Sequence, residues 1–582
     1  MSIKRWIALA VALMGLVLLM ALVVRANPPG QRPELQGVVS AQGSLGTAFT
    51  YQGQLKSGGE PVSETCDMAF RLYDGEIGGS QVGSEISTTV PVSEGLFTVG
   101  LDFGISAFTG NARWIEVAVR CAGDAGYATL SPRQALTAVP YALYALDTQG
   151  YAGVVTVAKS GGDHTSVQAA IDSIGGAAPN TPYLVWVAPG VYSETVTMRP
   201  YVHLQGAGQE VTVITSTIST SDDPPTVATL VLTHHVTLRD LTVGNAGAGM
   251  YCAALLATPG TTQTLVVDVT ARAGGGGTDN YAIYVTGSDT GVELRDVVAL
   301  AENGSSDNRG LYSDGGTVTV RGGSYTGRGG SHGEGIYNEY AALDAQGVTA
   351  LGESGTSSRG LHNRYGTATL RGGSFTARGD SNSTAIFCYG AGTVLEAYGV
   401  VALSENGSAI NRGLYNASEA DATLHGGSFT ARRGNTAYGL WNFGSDATLE
   451  AIGVSALGEG GSANSYGLYN SGSVWLRGGS FIADGGSAGA SGLCNSSSLT
   501  AQNVVAVGKG TTSYGLYNSN SNANVTQSVL KGETNSVYWG AGSVTVSNSR
   551  LHGDVNDDGN ITCVLITQGT FVSTDGSTCS PP

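Results

Sequence analysis

Charged side chains are scarce in this sequence. Asp, Glu, Lys and Arg make up 13% of the 582 residues, which is about half of the usual share. The charges that are present are mostly acidic, because 28 Lys and Arg stand against 45 Asp and Glu and leave a net charge of −17. Affinity for nucleic acids depends on Lys and Arg that neutralise phosphates. The composition therefore argues against nucleic acid as a partner.

The sequence also lacks the patterns of helical and fibrous proteins. Its repeated region contains no 10-residue window with a 3.6-residue period. The 88 glycines do not recur at every third position, which excludes collagen. Hydrophobic residues reach 41%, enough for a large core, so general disorder is excluded. A chain this rich in Gly, Ser, Thr and Val is predicted to be mostly β.

The first 26 residues are predicted to direct the chain to a membrane. Lys4 and Arg5 precede an apolar run from Trp6 to Val24, which fits either a secretory signal peptide or an uncleaved membrane anchor. Residues 27–46 are rich in Pro, Gln, Gly and Ser and are predicted to form a linker. In both cases we expect an extracellular or cell-surface location, with membrane contact only through residues 6–24.

Seven cysteines in an exported chain permit disulfides. Cys66 and Cys121 are one candidate pair, and Cys563 and Cys579 are another. The other three cysteines lie far apart in the sequence and are interpreted as small buried hydrophobic residues; they are Cys252, Cys388 and Cys494.

Residues 47–147 are predicted to form a small β-sandwich-like module. Short alternating segments separated by Gly and Asp turns indicate strands at 49–55, 68–73, 95–99 and 114–119. The module contains no His, which excludes a Ser-His hydrolase site within it. It resembles N-terminal modules of bacterial surface and tail-fibre-like proteins, and this resemblance implies presentation rather than chemistry.

A repeat fills most of the remaining chain. The tetrapeptide Gly-Leu-Tyr-Asn and its variants begin at Gly310, Gly335, Gly360, Ala385, Gly413, Gly439, Gly467, Gly492 and Gly515, with spacings of 23 to 28 residues. Each copy contains three short β-like runs, which predicts one turn of a parallel β-helix. Residues 183–550 would then form about 13 turns, with one interior column; that column is Leu311, Ile336, Leu361, Ile386 and Leu414.

A longer repeat overlies the first. The motif Arg321-Gly322-Gly323-Ser324 recurs at Arg371, His425 and Arg477, at spacings of 50, 54 and 52 residues. Duplication of a two-turn unit is its simplest explanation.

The segment 154–215 resembles the opening of the pectin methylesterase family and its relatives with the pectin-lyase fold. Residues 166–174 have a helical apolar face at 167, 170, 171 and 174, and residues 154–182 are predicted to cap the first turn. Gly190, Tyr192 and Glu194 fit the family's Gly-x-Tyr-x-Glu motif. The resemblance implies an all-β, right-handed parallel β-helix.

The same family implies an esterase, but its activity depends on segments that this sequence lacks. Gln-Asp-Thr, Asp-Phe-Ile-Phe-Gly and Leu-Gly-Arg-Pro-Trp supply the acid, the nucleophile and the Arg of that family, and none of the three occurs here. No catalytic residue is therefore predicted. If an esterase or other polysaccharide-active site exists, Asp240 and Asp296 are the first candidates. His234 and His235 are interpreted as structural.

A weak calcium motif lies near the C-terminal end, in the closing segment 551–582. Asp554, Asn556 and Asp558 occupy positions one, three and five of an EF-hand-like loop, but position twelve is Leu565 rather than Glu. A polar turn is the preferred interpretation, and no cofactor is predicted.

The third position of the tetrapeptide is nearly always aromatic. If the preceding Leu faces inward, this position faces outward. This predicts either an exposed column of stacked rings suited to sugars or a structural stack shielded by the variable loops. The glycan-binding candidates are Tyr312, Tyr337, Tyr415, Trp441, Tyr469 and Tyr517. The Asn residues that follow are predicted to form a hydrogen-bonded ladder. The sequence thus favours an exported, structural and adhesive protein whose partner is a polysaccharide or cell-surface glycan. A pectinesterase-like enzyme is the alternative.

Overall fold

The structure, a computed structural model, describes residues 49–103, 107, 113–136, 150–222, 225–556, 560–564 and 566. Contacts divide the chain into two compact units, Met1–Asp147 and Thr148–Pro582, and each is described by itself. No helix within the described ranges is long and apolar enough to cross a membrane. The predicted signal or anchor and the linker lie outside those ranges.

The first unit contains small antiparallel sheets. Strands Phe49–Gln54 and Leu96–Leu101 form one pair, and Lys56–Ser57 pairs with Glu60–Pro61. The third sheet contains Gln81–Pro91, Thr65–Tyr73, Trp114–Arg120, Ala128–Thr129 and Gln134–Ala135. Side chains from the first and third sheets share one core that includes Phe70, Phe97, Leu101 and Ile115. A disulfide joins Cys66 to Cys121.

The second unit is a parallel β-helix of about 14 turns. Three parallel sheets, here called A, B and C, run its length. Each complete turn contributes one strand to each sheet, and sheet A has one further strand before the first complete turn and one after the last. This confirms the predicted all-β class and parallel β-helix. The sheets extend from Gly153 to Val564, beyond the predicted range of 183–550.

Sheet A contains the following strands and half-strands in chain order: Gly153–Val157, Tyr183–Val187, Val202–Gly206, the first halves of Thr237–Asn245 and Thr264–Ala273, Gly291–Arg295, Thr317–Arg321, Ala342–Gln346, Thr367–Arg371, Val394–Tyr398, Asp421–His425, Thr448–Ile452, Ser473–Arg477, Ser498–Gln502, Ser521–Thr526, Gly542–Ser547 and Ile561–Val564.

Sheet B contains Gly190–Ser193, Thr212–Ser216, the second halves of Thr237–Asn245 and Thr264–Ala273, Val298–Glu302, Ser324–Arg328, Thr349–Glu353, Ser374–Arg378, Val401–Glu405, Ser428–Arg432, Ser455–Glu459, Ser480–Asp484, Val505–Lys509 and the first halves of Val529–Trp539 and Arg550–Asn556.

Sheet C contains Val196–Thr197, Leu230–Leu232, Tyr251–Ala257, Asp279–Thr286, Asp307–Asp314, His332–Glu339, Ser357–Arg364, Asn382–Tyr389, Ile410–Ala417, Thr436–Phe443, Asn464–Asn470, Gly489–Asn495, Ser513–Asn518 and the second halves of Val529–Trp539 and Arg550–Asn556.

The predicted helical cap is present as the helix Val167–Ser173. Its apolar face is buried, as the spacing predicted. The carboxylate of Glu194 accepts hydrogen bonds from the Ser166 hydroxyl and from the backbone N–H groups of Val167 and Gln168, at 2.7, 2.8 and 3.0 Å. An acidic group at the start of a helix satisfies its free N–H groups. The Glu of the Gly-x-Tyr-x-Glu motif therefore ties the cap to the first turns.

The turn between sheets A and B explains the Arg-Gly-Gly-Ser motif. Gly322 has a φ of 67°, in the left-handed region. A Cβ atom on Gly323 would lie 2.4 Å from the carbonyl oxygen of Val297 in the previous turn. Glycine is thus favoured by backbone conformation at the first position and required by close approach at the second.

The two-turn period reflects an alternation of large and small side chains in the core. Where sheet B presents Phe375, the preceding sheet A strand presents Ala368 and Leu370. In the next turn sheet B presents Ala402, and sheet A presents Leu395 and Ala397. Facing positions that exchange large and small residues fill a constant interior volume, which gives the longer repeat a packing cause.

The predicted interior column is confirmed. Leu311 pairs with Ile336, and the register continues through Leu361, Ile386 and Leu414. All five side chains are fully buried.

The predicted Asn ladder is also present in the interior of sheet C. The Asn442 amide donates to Asn470 Oδ1 at 3.0 Å and accepts from Asn416 at 2.8 Å. Cys388 interrupts this ladder between Asn363 and Asn416. It is buried like Cys252 and Cys494.

Candidate functional site

The marker tetrapeptide gives sheet C an unusual outer face. Gly310 and Leu311 are both buried although they are consecutive residues of one strand. A Cβ on Gly310 would lie 2.6 Å from the Thr326 backbone nitrogen of sheet B, so no side chain fits there. The strand therefore departs from simple alternation at Gly310. As a result, Arg309 before the pair and Tyr312 after it both face outward, and every turn places two outward side chains close together.

The residues that follow the Leu form the aromatic column. Its members occupy one register position of sheet C, and they are Tyr284, Tyr312, Tyr337, His362, Phe387, Tyr415, Trp441, Tyr469, Cys494, Tyr517 and Tyr538. From Tyr312 to Trp441 six rings stack face to face, with centroids 4.4 to 5.0 Å apart. This matches the strand spacing of about 4.8 Å.

The column is less exposed than the sequence predicted. None of its members is classed as exposed, and Tyr337 and His362 are only 4% and 8% exposed. Of the two predicted alternatives, the exposed column is therefore wrong. The reason is that neighbouring rings cover the ring faces from Tyr312 to Trp441. Residues before the marker Gly also lie against these rings, as Arg309 does against Tyr312 and Tyr438 against Trp441.

Those residues form a second outward column, here called the mixed column, which sequence reasoning missed. Its members are Tyr281, Arg309, Glu334, Arg359, Thr384, Arg412, Tyr438, Tyr466, Ser491 and Tyr514. Strict alternation would place these side chains inside, because they stand two positions before the buried Leu. The signal that identifies them is their place immediately before the first residue of the marker, which is Gly in eight of the ten turns and Ala after Tyr281 and Thr384.

The first half of this outer face, from Arg309 to Arg364, carries an ion network around Glu334. Glu334 is almost fully buried and accepts hydrogen bonds from Arg309 at 2.9 Å, Arg359 at 2.5 Å and His362 at 3.0 Å. Burial alone would raise the pKa of Glu334, but His362, Arg359 and Arg309 lower it well below its usual range. Burial lowers the pKa of His362 to about 4, and Arg359 adds to this effect. His362 is therefore neutral at pH 7.

The aromatic column is tied into the same network. The Tyr312 hydroxyl donates to Glu339 at 2.7 Å, and Arg364 donates to Glu339 at 2.8 Å. The Arg309 guanidinium lies 4.7 Å from the ring centroid of Tyr312 and 4.5 Å from that of Tyr337. Each cation on this half has a carboxylate partner, so these groups serve the structure of the face.

The second half has a different electrostatic character. Arg412 lies 4.6 Å from the ring centroid of Tyr415 and 4.7 Å from that of Trp441, and Nη1 donates to Thr384 Oγ1 at 3.3 Å. Tyr438 stacks on Trp441 at 4.5 Å. Among the described residues, no carboxylate forms an ion pair with Arg412. Burial lowers the pKa of Arg412 to about 10, which leaves it protonated at neutral pH.

The start of the outer face is closed by an apolar cluster. Ala228, Ala253, Leu256, Tyr281 and Tyr284 pack together there, and Tyr312 contacts them. The accessible length of the face therefore begins near Tyr312.

The ring stack changes at the other end. Tyr469 meets Trp441 edge-on at 6.0 Å. Cys494 then separates Tyr469 from Tyr517, which stacks on Tyr538 at 4.9 Å. At Cys494 the column thus loses one ring.

The residues considered for esterase chemistry lie on other parts of the β-helix. Asp240 accepts hydrogen bonds from Arg239 at 2.9 Å and from Gln205 at 3.1 Å. Asp296 is an exposed turn residue one position after Arg295. Asp240 and Asp296 both have positive φ values, 57° and 51°, and occupy the turn position that glycine takes in later turns.

The two histidines pack against a neighbouring ring and against each other. His235 stacks on Tyr201 at 4.7 Å, and His234 contacts His235 edge-on at 5.4 Å.

The remaining predictions fall partly outside the described residues. Asp554 and Asn556 lie in the strand Arg550–Asn556, and Asp558 is not described. Cys563 lies in the last strand, Ile561–Val564, and Cys579 is not described.

The chain was compared with known families, curated proteins and solved structures. Residues 50–133 match a family described as a domain of unknown function, DUF8740. No curated protein matches the chain. A pectin methylesterase from carrot is 12% identical over 57% of this chain and 83% of its own, with a TM-score of 0.25.

Two other solved structures are similar at the same level. The A-module of a mannuronan C-5 epimerase from Azotobacter vinelandii is 16% identical over 72% of this chain and 94% of its own, with a TM-score of 0.30. The catalytic unit of an α-1,3-glucanase from Streptomyces thermodiastaticus is 12% identical over 91% of this chain and 89% of its own, with a TM-score of 0.23. Similarity at this level supports no conclusion about the activity of this protein.

Proposed function

We propose that the protein is an exported, structural and adhesive β-helix that contacts glycans along the outer face of sheet C. The observation that carries this proposal is the run of stacked aromatic rings from Tyr312 to Trp441. Aromatic side chains present apolar surface and hydroxyl or N–H groups together, and sugars offer matching C–H and hydroxyl groups. The aromatic column continues over many turns, as an extended polymer requires.

The geometry limits how a sugar chain is held. Within the stack, neighbouring rings cover most ring faces, so ring edges and tyrosine hydroxyls supply the contacts there. Next to Cys494, Tyr469 and Tyr517 have no aromatic neighbour on one side. We assign ring-face contacts with sugars to these two tyrosines. Because turns are about 4.8 Å apart, closer than successive sugars in a chain, a glycan crosses the column obliquely or skips turns.

Glycan binding is tested with a double variant, Tyr469→Ser with Tyr517→Ser, measured on a glycan array and then by calorimetry with the best ligand. We expect binding to weaken by roughly tenfold or more, as for the loss of aromatic contacts. Trp475→Ser is the matched control, because Trp475 is 61% exposed on sheet A. Unchanged glycan binding by the double variant would show that Tyr469 and Tyr517 do not contact the glycan. A parent protein that binds no glycan would leave only the structural role.

Export is tested separately. It rests on Lys4, Arg5 and the apolar run that follows them. Fractionation of producing cells, with N-terminal sequencing of the protein, distinguishes a cleaved signal from an anchor. Recovery of the full chain in the cytosol would contradict export.

A carbohydrate esterase is the second candidate, and one observation favours it. Gln205, Arg239 and Asp240 bring an amide, a guanidinium and a carboxylate together on early turns, groups suited to ester hydrolysis. Release of methanol from methylated pectin, abolished by Asp240→Asn, would support this candidate. An inactive parent protein would remove it.

A further inference from the structure

We infer that Arg412 forms a subsite for an anionic group of the bound glycan, either a carboxylate or a sulfate ester. This inference deepens the proposed glycan contact and rests on it. It places the negatively charged sugar unit on the second half of the outer face of sheet C, between Thr384 and Trp441.

The first argument is the distribution of charge along the face. The other arginines of the outer face all have carboxylate partners: Arg309 and Arg359 bind Glu334, and Arg364 binds Glu339. Arg412 has none among the described residues. From Asn382 to Asn495, the strands of sheet C contain no Asp or Glu. The second half therefore carries a cation without an internal counter-ion, in a chain whose net charge is −17.

The second argument is an unmet hydrogen-bonding requirement at the same place. Arg412 Nε and Trp441 Nε1 are buried in the described structure without an acceptor. A buried N–H group without a partner costs about 1–3 kcal/mol, more when it is charged. Such groups in a folded protein call for an explanation, such as a bound water or ion. Two such donors in adjacent turns, beside a guanidinium, favour an acceptor that carries negative charge.

The third argument concerns the surroundings of Arg412. Its guanidinium is held against Tyr415 and Trp441 by cation–π contacts, and Thr384 holds Nη1. A cation fixed in this way loses little side-chain freedom when a ligand binds. The overall negative charge of the chain opposes long anionic polymers, whereas the acidic side chains of sheet C lie outside the turns around Arg412, in the strands from Asp279 to Glu339 and at Asp554. An anionic unit is thus accepted at one position of the face rather than along all of it.

The test compares three oligosaccharides of equal length: a uronate hexasaccharide, its carboxyl-reduced neutral form, and the neutral form carrying sulfate esters. Binding to the full chain is measured by calorimetry. We expect the parent to bind one or both anionic forms roughly tenfold or more tightly than the neutral form. The two anionic forms identify which group the subsite accepts.

Variants then locate the preference. Arg412→Gln should remove the preference for the anionic form and leave affinity for the neutral form within about twofold. Arg412→Lys, which keeps the positive charge, should retain part of the preference for the anionic form. Arg432→Gln is the control, because Arg432 lies on sheet B in an exposed ion pair with Glu459. Equal loss of affinity for neutral and anionic forms in Arg412→Gln would overturn the inference.

The parent alone also decides the question if Arg412→Gln fails to fold. Equal affinity for the three hexasaccharides would overturn the anionic subsite and leave glycan contact intact. No binding of any form would overturn both proposals. A parent crystal soaked with the preferred anionic form should show the anionic group within hydrogen-bonding distance of Arg412, and density for that group elsewhere would contradict the assignment.

Discussion

Nδ1 of His362 lies 3.0 Å from Oε1 of Glu334 on the outer face of sheet C, and both residues are buried, at 8% and 1% exposure. Arg309 and Arg359 complete the surroundings of this carboxylate. A buried carboxylate is tolerated only when charges and hydrogen bonds compensate it. The pair therefore makes the stability of these turns sensitive to acid.

The first prediction is a loss of stability below neutral pH that depends on His362. The folded-state pKa of about 4 lies below the unfolded value of about 6.5. The neutral imidazole of His362 therefore makes its full contribution to the free energy of unfolding above about pH 6.5. That contribution is lost as the pH falls to about 4, and the loss is on the order of 3 kcal/mol. Urea midpoints measured between pH 8 and pH 4 should fall accordingly.

His362→Phe is the matched control for this prediction. Phe387 is the next ring of the column, so an aromatic ring without a titrating group fits the position. The variant should show a flatter dependence of the urea midpoint on pH than the parent between pH 6.5 and 4. Identical slopes in the two proteins would assign the acid sensitivity to other groups.

The second prediction concerns the interior column. Leu414 is fully buried between Ile386 and Leu440. Leu414→Asp should lower the free energy of unfolding by about 3 kcal/mol or more, because it removes apolar burial and buries a charge. Val401→Asp, at a sheet B position that is 49% exposed, should change stability by less than about 0.5 kcal/mol. Similar losses in both variants would contradict the assigned column.

The sequence allowed the interior of the fold to be predicted but not the make-up of its outer face. Leu311 and Ile336 were identifiable because their spacing repeats with the turn, and parallel pairing preserves that register. Arg309 was not, because alternation in a regular strand places it inside. The departure at Gly310 arises from a close approach to the backbone of Thr326 in sheet B, a three-dimensional contact that one strand's pattern does not contain.

The role of Glu194 shows the same limit. Its motif pointed to a family, but the hydrogen bonds to the helix at Ser166 and Val167 depend on how the cap returns to the first turns. The exposure of the aromatic column was predicted wrongly for a related reason. The sequence pattern shows only the aromatic column and no neighbour that covers it. In the structure the mixed column packs beside it, as Tyr438 does against Trp441.

The third prediction concerns the Asn ladder and its gap at Cys388. It compares two substitutions with opposite expected effects on stability. Asn442 donates to Ala447, Asn470 and Ser473 and accepts from Asn416. Asn442→Ala leaves these buried groups without their partner and should cost about 2–3 kcal/mol.

The second substitution, Cys388→Asn, should increase stability. Asn416 Oδ1 is buried without a donor and follows Cys388 in register. An Asn at position 388 would extend the ladder and donate to that oxygen, so the urea midpoint should rise, by about 1 kcal/mol in free energy. Burial raises the pKa of the Cys388 thiol to about 12, so the substitution removes no reactive thiolate. Destabilisation by Cys388→Asn, with a correctly folded spectrum, would show that the ladder does not limit stability there.

The fourth prediction concerns the disulfide of the first unit. Cys66 and Cys121 are separated by 55 residues, and closing a loop of that size stabilises a fold by about 3–4 kcal/mol in the chain-entropy account. The double variant Cys66→Ser with Cys121→Ser should therefore lower the melting temperature of the first unit in calorimetry of the full chain. The β-helix transition should stay in place, because the two units have separate cores. Reductant supplies the control: it should bring the first-unit transition of the parent to that of the double variant and leave the first-unit transition of the variant unchanged. A first-unit transition that reductant does not move would contradict a stabilising role for this disulfide.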